Sequence, residues 1–205
     1  MIEALKAAIR TAKRSFFWPR DCLFCAVKGL PWSKSWRFHG LPIVSIARGA
    51  RISIGAGFIC TSDPKMNSIG IIQKSNLRVG RSDAELIIGK DVGMSGATLS
   101  SSLSIQIGDR VLIGSGCLIS DSDAHPLHPQ DRADASKIGR APISIGNDCF
   151  LGARSIVLKG VRIGEGSVIG AGSVVVSDIP AGVIAAGNPA KVIRSLETCS
   201  SNDDV

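Results

Sequence analysis

A short polar segment of this chain holds the side chains best suited to catalysis. Residues 120–132 read SDSDAHPLHPQDR and contain two of the three histidines in the sequence, His125 and His128. Pro126 and Pro129 each fix one backbone φ angle, so we expect a rigid arm that holds His125 in place. A neutral imidazole can take a proton from a hydroxyl while that hydroxyl attacks an acyl donor. The segment therefore predicts a general base for acyl transfer.

Two carboxylates close to His125 in sequence are candidates to orient its ring. Asp121 or Asp123 could accept a hydrogen bond from one ring nitrogen and so fix the tautomer. A histidine in a polar loop is also often a solvated bystander, and loop composition by itself leaves both interpretations open.

The elements that must position this segment are indicated by a six-residue repeat. Apolar residues recur at this spacing, and compact residues follow four positions later. The apolar set is Ile145, Leu151, Val157, Ile163, Ile169 and Val175, and the compact set is Cys149, Ser155, Val161, Ser167 and Ser173. This period is typical of neither an α-helix nor an ordinary strand. It predicts the coils of a parallel β-helix.

Three six-residue sides make one coil, so side chains one coil apart should stack. We expect Ile145 over Ile163, Leu151 over Ile169 and Val157 over Val175, with the branched side chains pointing inward. A glycine follows four of the apolar residues, at Gly146, Gly152, Gly164 and Gly170. We expect these glycines at corners, where a tight turn at positive φ suits a residue without Cβ.

The same repeat continues upstream and is interrupted once before Ile145. Ile107, Ile113 and Ile119 are six apart, and Ile88-Gly89 with Met94 and Ile54-Gly55 with Cys60 mark earlier sides. The spacing from Ile119 to Ile145 is 26, where four sides would take 24. A loop over residues 120–142 is therefore predicted to leave the coil, and such excursions from a solenoid are common places for function.

Length and composition favour one domain without disulfides. The chain has 205 residues, 44% of them apolar, and six scattered cysteines. Cys117 and Cys149 fall on inward positions of the repeat, as free thiols do in a reducing compartment. The C-x-x-C pair Cys22 and Cys25 is a weak metal or redox signal, and we interpret it as two buried thiols. The sequence contains no signal peptide and no spanning apolar run, so we expect a cytoplasmic protein.

Positive charge is concentrated in the first part of the chain. Residues 1–51 hold ten Lys or Arg and two acidic residues, a net charge of +8, whereas the remainder has 14 basic and 15 acidic residues, a net charge of −1. All three tryptophans also lie there. Residues 2–17 have the pattern of a basic amphipathic helix that Pro19 would end. Such a segment can cap the coil end or lie on an anionic membrane, and no nucleic-acid motif accompanies it.

Three motifs give the chain a family resemblance. They are the HPLHPQDR loop, the run PISIGNDCFLGARSIVLKGVRIGEGSVIGAGSVVVSDIP at residues 142–180, and AGNPAKVIR at residues 186–194. With them the chain resembles the hexapeptide-repeat acyltransferases, in particular the sugar O-acetyltransferases that include maltose and galactoside acetyltransferases and those of surface-polysaccharide biosynthesis. The resemblance implies an all-β fold, a left-handed parallel β-helix of hexapeptide repeats with an N-terminal helical segment and a protruding loop. It covers roughly residues 41–195, which leaves residues 1–40 as a basic, aromatic segment and 196–205 as a disordered tail.

The resemblance also implies a homotrimer whose sites lie between neighbouring coils, with acetyl-CoA as co-substrate and no metal. It assigns His125 as the general base. Phe150 stands where the family has an aromatic cofactor contact. The pantetheine would lie along Gly152, Ala153, Ala171 and Gly172, with the amide of Ala153 or its neighbour facing the thioester oxygen. Lys191 and Arg194 match positions that meet the nucleotide phosphates, and the alternative for this pair is a solvated helix face.

The acceptor contacts are predicted on the coil before the loop and on the loop itself. Ser95, in the stretch GMSGATLSS, stands where some sugar acetyltransferases carry an acceptor-binding asparagine, and Asp123 and His128 are further candidate contacts. The GMSG pattern looks closer to the polysaccharide-biosynthesis members, which suits a lipid-linked or nucleotide-linked glycan. A γ-carbonic-anhydrase-like hydratase needs three gathered histidine ligands, which His39, His125 and His128 are poorly placed to supply. A non-catalytic β-helix scaffold is the other alternative.

Overall fold

The computed structural model describes residues 18–196, and the chain in this range is built almost wholly of short strands. One helix, α1, covers residues 18–28. Three short 3-10 helices span Pro64–Met66, Pro129–Asp131 and Ala135–Lys137. The strands are β1 (Arg37–His39), β2 (Ile43–Ile46), β3 (Arg51–Ile54), β4 (Ile59–Thr61), β5 (Asn76–Val79), β6 (Glu85–Ile88), β7 (Gly93–Ser95), β8 (Thr98–Ser101), β9 (Ser104–Ile107), β10 (Leu112–Ile113), β11 (Leu118–Ser120), β12 (Ile143–Ile145), β13 (Phe150–Leu151), β14 (Ile156–Val157), β15 (Arg162–Ile163), β16 (Val168–Ile169), β17 (Val174–Val175), β18 (Val183–Gly187) and β19 (Ala190–Ser195).

The strands form three sheets that run along the sides of a prism. Sheet A has the order β1-β4-β7-β10-β13-β16-β18-β19, sheet B has the order β17-β14-β11-β8-β5-β2, and sheet C has the order β15-β12-β9-β6-β3. Up to β17, each strand is a neighbour of the third strand before and after it, and β18 then pairs with β16. Apart from the antiparallel hairpin β18–β19, the strand pairing is parallel. This is the left-handed parallel β-helix of hexapeptide repeats that the sequence predicts. We call the connections from sheet A to sheet B the A–B corner and those from sheet B to sheet C the B–C corner.

The predicted stacking of inward side chains is confirmed by the strand register. Ile145 pairs with Ile163, Leu151 with Ile169, and Val157 with Val175. All of these side chains are at most 2% exposed. Full burial of one such side chain contributes about 1.5–3 kcal/mol, so the stacked columns supply the core that a coil with two-residue strands otherwise lacks.

The glycines after the apolar residues are needed for a different reason from the one we expected. None of Gly146, Gly152 and Gly164 has positive φ. A Cβ at Gly152 would instead lie 2.5 Å from the backbone nitrogen of Ala171, and one at Gly164 would lie 2.3 Å from that of Ala181. The prediction of positive φ at these positions is therefore wrong. Close approach of successive coils is what excludes a side chain there.

The N-terminal part of the described chain covers the first coil. Trp36 Nε1 donates to the carbonyl of Gly55 at 2.7 Å, and the Trp36 ring contacts that of Phe58. Cys25 and Leu30 belong to the same buried cluster as the coil interior. This is the cap that the sequence allowed, and it protects an otherwise open end of the β-helix.

Several boundaries near the N-terminus differ from those expected. The coil begins at β1, because Arg37–His39 pairs with β4, and so starts before residue 41. The predicted helix over residues 2–17 lies outside the described residues, and Pro19 is itself helical, as the second described residue of α1. Cys22 is exposed while Cys25 is buried, so only one of the two thiols is buried as expected.

The outward faces of the three sheets differ in character. In the later coils, sheets A and B present apolar side chains outward, whereas sheet C presents polar ones. The apolar set is Leu112, Phe150, Val168 and Ile184 on sheet A and Leu118, Ile156 and Val174 on sheet B; sheet C carries Ser104, Gln106, Ser144 and Arg162. Among residues 18–196, no helix has the length and apolar character needed to cross a membrane. The predicted disordered tail falls almost entirely beyond the described residues.

Candidate functional site

The predicted loop over residues 120–142 leaves the coil at the B–C corner, and we call it the His arm. Its root is the buried carboxylate of Asp121, which is 0% exposed. The backbone amides of Ser102 and Leu103 donate to the two carboxylate oxygens at 2.7 and 2.8 Å, and the Ser101 hydroxyl lies 3.0 Å away. Asp121 therefore fastens the arm to the preceding coil.

A second carboxylate fastens the arm to the following coil. Lys159 Nζ donates to Asp123 Oδ1 at 2.7 Å. The Asp123 amide donates to the carbonyl of Gly139 at 3.0 Å, and a Cβ at Gly139 would come within 2.5 Å of Asp123 Oδ2. The two ends of the arm are thus drawn together at its base, so the segment between them starts from a fixed position.

His125 stands beyond this base with its side chain exposed. Ala124, immediately before it, has φ of 63°, which turns the chain sharply at this point. Pro126 after it is buried. The expectation that Asp121 or Asp123 orients the imidazole is wrong. Asp121 is bonded to the amides of Ser102 and Leu103, Asp123 Oδ1 is paired with Lys159, and the buried Asp123 Oδ2 has no hydrogen-bond partner among the described residues. Within the described range no hydrogen bond reaches the His125 ring.

His128 is also exposed and is followed by the 3-10 turn Pro129–Asp131. The far part of the arm is held by its own contacts: Arg132 donates to the carbonyl of Leu127, and Lys137 pairs with Asp131. The arm is therefore an internally bonded unit rather than an open loop.

The residues expected to hold the pantetheine lie together on the A–B corner. Gly152 and Ala153 occupy one coil, and Ala171 and Gly172 occupy the next. Gly172 has φ of 71°, and a Cβ built there would meet no atom within 4 Å. The outer surface of the corner is consequently open, and a ligand can approach the backbone closely.

Backbone donors are available on this corner: the amides of Ala153 and, one coil later, Ala171 have no acceptor among residues 18–196. The amide of Arg154 instead donates to the carbonyl of Ser115 at 2.8 Å. Of the two amides that the sequence nominated, Ala153 is therefore the one able to bind an oxyanion.

A thiol lies directly beneath this corner. Cys117 Sγ is 3.0 Å from the carbonyl oxygen of Gly152 and 3.2 Å from Ser155 Oγ. Burial raises the pKa of the Cys117 thiol. Cys117 therefore stays protonated, supports the corner as a weak donor, and is unsuited to act as a nucleophile.

Phe150 and Ser95 face a shallow groove of about 310 Å³ on the outer surface of sheet A. Phe150 is 45% exposed and pairs across the sheet with Leu112. The structure thus brings the predicted cofactor contact and the predicted acceptor contact to the same face, beside the A–B corner.

Lys191 and Arg194 lie on β19, the last strand of sheet A, and both are exposed. The alternative of a solvated helix face does not apply, since this segment is a strand. In the antiparallel hairpin, Lys191 pairs with Ala186 and Arg194 with Ile184. The two cations therefore stand at the C-terminal end of the prism, beyond the last coil that carries Ala171.

The candidate catalytic and cofactor-binding residues lie on two different corners of the chain. The His arm is rooted on the B–C corner, whereas Ala153 and Ala171 are on the A–B corner, with sheet B between them. One six-residue side rises about 3.3 Å per residue, so the two corners are separated by up to about 20 Å.

Sequence reasoning missed a second excursion, residues 62–75, which we call the isoleucine loop. It connects β4 to β5 on the A–B corner and borders a pocket of about 320 Å³ with Ser115, Gly116, Ala153 and Arg154. The signal was present in the spacing, because Cys60 and Leu77 both point inward but are 17 residues apart, which is not a multiple of six. Asp121 and Lys159 were likewise not recognised as anchors, since their partners are distant in sequence.

Three titratable side chains suited to a metal do not come together anywhere in residues 18–196. His39 lies at the end of β1, in the first coil, far along the prism from the His arm. The three-histidine arrangement of a hydratase is therefore not formed within the described chain.

Comparison with known sequences agrees with this architecture. Residues 142–177 match the family described as "Hexapeptide repeat of succinyl-transferase". Residues 142–177 therefore carry hexapeptide repeats of the kind that this family describes. It is 41% identical over 99 residues to the galactoside O-acetyltransferase of Escherichia coli K12, a match that covers 48% of each protein. It is 53% identical over 58 residues to a 2,3,4,5-tetrahydropyridine-2,6-dicarboxylate N-acetyltransferase of Clostridium perfringens, covering 28% of this chain and 25% of that protein.

A solved structure is similar over more of the hexapeptide-repeat chain. The maltose O-acetyltransferase of Clostridium difficile 630 is 26% identical, with a TM-score of 0.53, and the match covers 78% of this chain and 71% of that one. The chain spans about half the length, or less, of the curated relatives that it matches.

Proposed function

We propose that this chain transfers an acetyl group from acetyl-CoA to a hydroxyl of a sugar acceptor. The observation that carries the proposal is the His arm: an exposed imidazole on an arm rooted by Asp121 and Asp123 in a hexapeptide coil. The similarity to galactoside and maltose O-acetyltransferases supports both the reaction and a sugar as acceptor. The N-acetyltransferase relative matches a much shorter stretch, so it supports the repeat rather than an amine acceptor.

In this proposal His125 is the catalytic base. Its neutral ring takes the proton of the acceptor hydroxyl as the hydroxyl oxygen attacks the thioester carbonyl. The C–O bond of the ester forms, the C–S bond breaks, and the proton passes from the imidazolium to the departing sulfur. The free Ala153 amide donates to the carbonyl oxygen as it gains negative charge, which costs no reorganisation because the coil already holds it.

Acetyl-CoA would lie along the A–B corner, where the backbone is bare. Gly152, Ala171 and Gly172 leave room for the pantetheine arm, and Phe150 flanks it from sheet A. The exposed cations of Lys191 and Arg194 would meet the phosphates at the end of the prism. When bound, acetyl-CoA supplies an activated acyl group.

We further propose that the working unit is a homotrimer and that each site forms between two copies. This accounts for the separation of the His arm from the Ala153 corner: the arm of one copy would face the corner of the next. The apolar outward faces of sheets A and B support the same arrangement, since a closed threefold ring buries two faces of each copy and leaves the polar sheet C in solvent.

The acceptor would bind between the His arm and the groove that holds Ser95. His128 is the further contact that we assign to it. Asp123, also expected as a contact, is held at the root of the arm by Lys159 with its second oxygen buried, so we do not assign it to the acceptor. We propose a glycan of polysaccharide or glycolipid biosynthesis, carried on a lipid or a nucleotide, because a shallow groove open to solvent suits a large acceptor.

Residues 1–38 would place the enzyme at the cytoplasmic face of the membrane. On α1, Leu23 and Val27 lie one turn apart and are 67% and 74% exposed. These side chains and the surrounding positive charge suit peripheral contact with anionic lipid. Replacement of both by serine should reduce sedimentation with phosphatidylserine vesicles. Equal sedimentation of the two proteins would contradict this part of the proposal.

The proposed activity is tested by release of free thiol from acetyl-CoA. Purified protein is assayed against a panel of free sugars, nucleotide sugars and lipid-linked glycans, with His125→Ala as the control. We expect acceptor-dependent release by the unaltered chain and a loss of about 10²–10⁴-fold in the variant. Equal rates for the two proteins would refute the role of His125, and no release with any acceptor would count against the reaction.

A further inference from the structure

The isoleucine loop is docked firmly on the A–B corner. The Ser115 hydroxyl donates to the carbonyl of Gly70 at 2.6 Å, and Gln73 Nε2 lies 3.0 Å from Thr98 Oγ1. Ile71 is buried against Gly96, where an added Cβ would come within 2.5 Å of Ile71 Cγ2. The loop is thus joined to two successive coils and forms a fixed wall.

The pocket beside this loop has apolar walls and one polar end. Ile69 and Ile72 line it, although their side chains are 68% and 78% exposed in the chain. At the other end are Ala153, with its free amide, and Arg154. Two isoleucines with such high exposed fractions, next to a backbone N–H that has no acceptor, indicate a binding surface rather than incidental exposure of apolar residues.

The pocket also continues the line of the proposed cofactor groove. Along the A–B corner the order from the C-terminal end of the prism is Gly172, Ala153, Gly116 and then the isoleucine loop. With the CoA phosphates at Lys191 and Arg194, as proposed, a thioester whose carbonyl oxygen is bound by the Ala153 amide has its sulfur on the Gly172 side. Its acyl chain points toward Ile69 and Ile72.

We propose that this corner pocket binds the acyl chain of the donor thioester and accommodates a chain longer than acetyl. The inference rests on the proposed function and deepens it by naming the acyl group. The pocket of about 320 Å³ is roughly ten times the ~30 Å³ that one water occupies in the liquid. The methyl group of acetyl fills only about one such volume, so the space beyond it suits further methylenes. The bonds made and broken are those of acetyl transfer.

A sugar suits this pocket poorly as an occupant. Its hydroxyls would lose hydrogen bonds to water against the walls of Ile69 and Ile72. An alkyl chain loses nothing there and removes apolar surface from water, which is worth about fourfold in affinity per buried methylene.

Direct binding to the full chain tests the inference without an acceptor. Calorimetric dissociation constants are measured for CoA, acetyl-CoA and butanoyl-CoA. We expect butanoyl-CoA to bind more tightly than acetyl-CoA, by between about 4-fold and 15-fold for its two extra methylenes. Ile72→Ser should remove most of this preference. Met66→Ser is the matched control: Met66 belongs to the same loop and is 55% exposed, but it does not line the pocket, so the preference should persist.

The outcomes separate this inference from the proposed function. If the protein binds CoA and acetyl-CoA but excludes or does not prefer butanoyl-CoA, the pocket is not an acyl site and the proposed function stands. If Ile72→Ser leaves the butanoyl preference intact, the isoleucine wall does not contact the chain and the inference is wrong. If CoA, acetyl-CoA and butanoyl-CoA all fail to bind, the proposed function itself is wrong.

Discussion

Asp121 should be the main anchor of the His arm, and Asp121→Asn tests this with almost no change of shape. Both backbone partners of the carboxylate, Ser102 and Leu103, are donors, and each faces a different oxygen. Whichever way the asparagine amide is turned, its NH₂ group faces one of these N–H groups, which then has no acceptor. A buried unsatisfied donor costs about 1–3 kcal/mol, and loss of the charge weakens the remaining bond by about 1 kcal/mol. We therefore expect destabilisation of about 2–4 kcal/mol.

The assay is urea unfolding at fixed protein concentration, with hydrogen exchange at the amides of Ser102 and Leu103. Asp134→Asn is the control, because Asp134 is in the same arm but exposed, and asparagine caps the following 3-10 turn as well as aspartate does. It should change stability by less than about 0.5 kcal/mol. For Asp121→Asn, kcat of acetyl transfer should fall while the dissociation constant for CoA stays constant. Equal stabilities for the two variants, with unchanged exchange at Ser102 and Leu103, would refute the anchoring role.

Three further results are expected. Gly152→Ala should destabilise the fold by about 1–3 kcal/mol in urea unfolding, because the added Cβ meets the backbone of the next coil. Gly80→Ala, whose added Cβ would have no atom closer than 3.5 Å, should be neutral or slightly stabilising. Burial raises the pKa of the Cys60 thiol to about 11, so the folded state keeps a proton that the unfolded chain releases. The free energy of unfolding should therefore fall as pH rises from 9.0 toward 11, and Cys60→Ala should reduce this loss. Lys191→Gln and Arg194→Gln should each raise the dissociation constant for CoA about tenfold in calorimetry.

The coil could be predicted from the sequence because each of its contacts repeats at one fixed interval. A single period of six places Ile145, Leu151 and Val157 on three inward-facing sides and gives their partners one coil later. The break after Ile119 locates the His arm for the same reason. Local rules are enough when every neighbour is a copy of the same unit.

The contacts that fasten the functional loops could not be predicted in this way. Asp121 meets the amides of Ser102 and Leu103 only because the B–C corner of the preceding coil lies beneath it, and Asp123 meets Lys159 across 36 positions of sequence. The proximity of these residues depends on the loop's path, which has no period. This is also why two carboxylates beside His125 were expected to orient its ring, although the structure uses them as anchors.

The most direct test of the account is complementation between two inactive variants. His125→Ala removes the base, and Ala171→Trp blocks the exposed A–B corner where the donor would lie. If each site combines the arm of one copy with the corner of the next, coexpressed variants assemble randomly and about a quarter of their sites are intact. We predict thiol release from acetyl-CoA at about that fraction of the unaltered rate, with none from either variant alone. Mixed assemblies that remain inactive would contradict a site shared between copies.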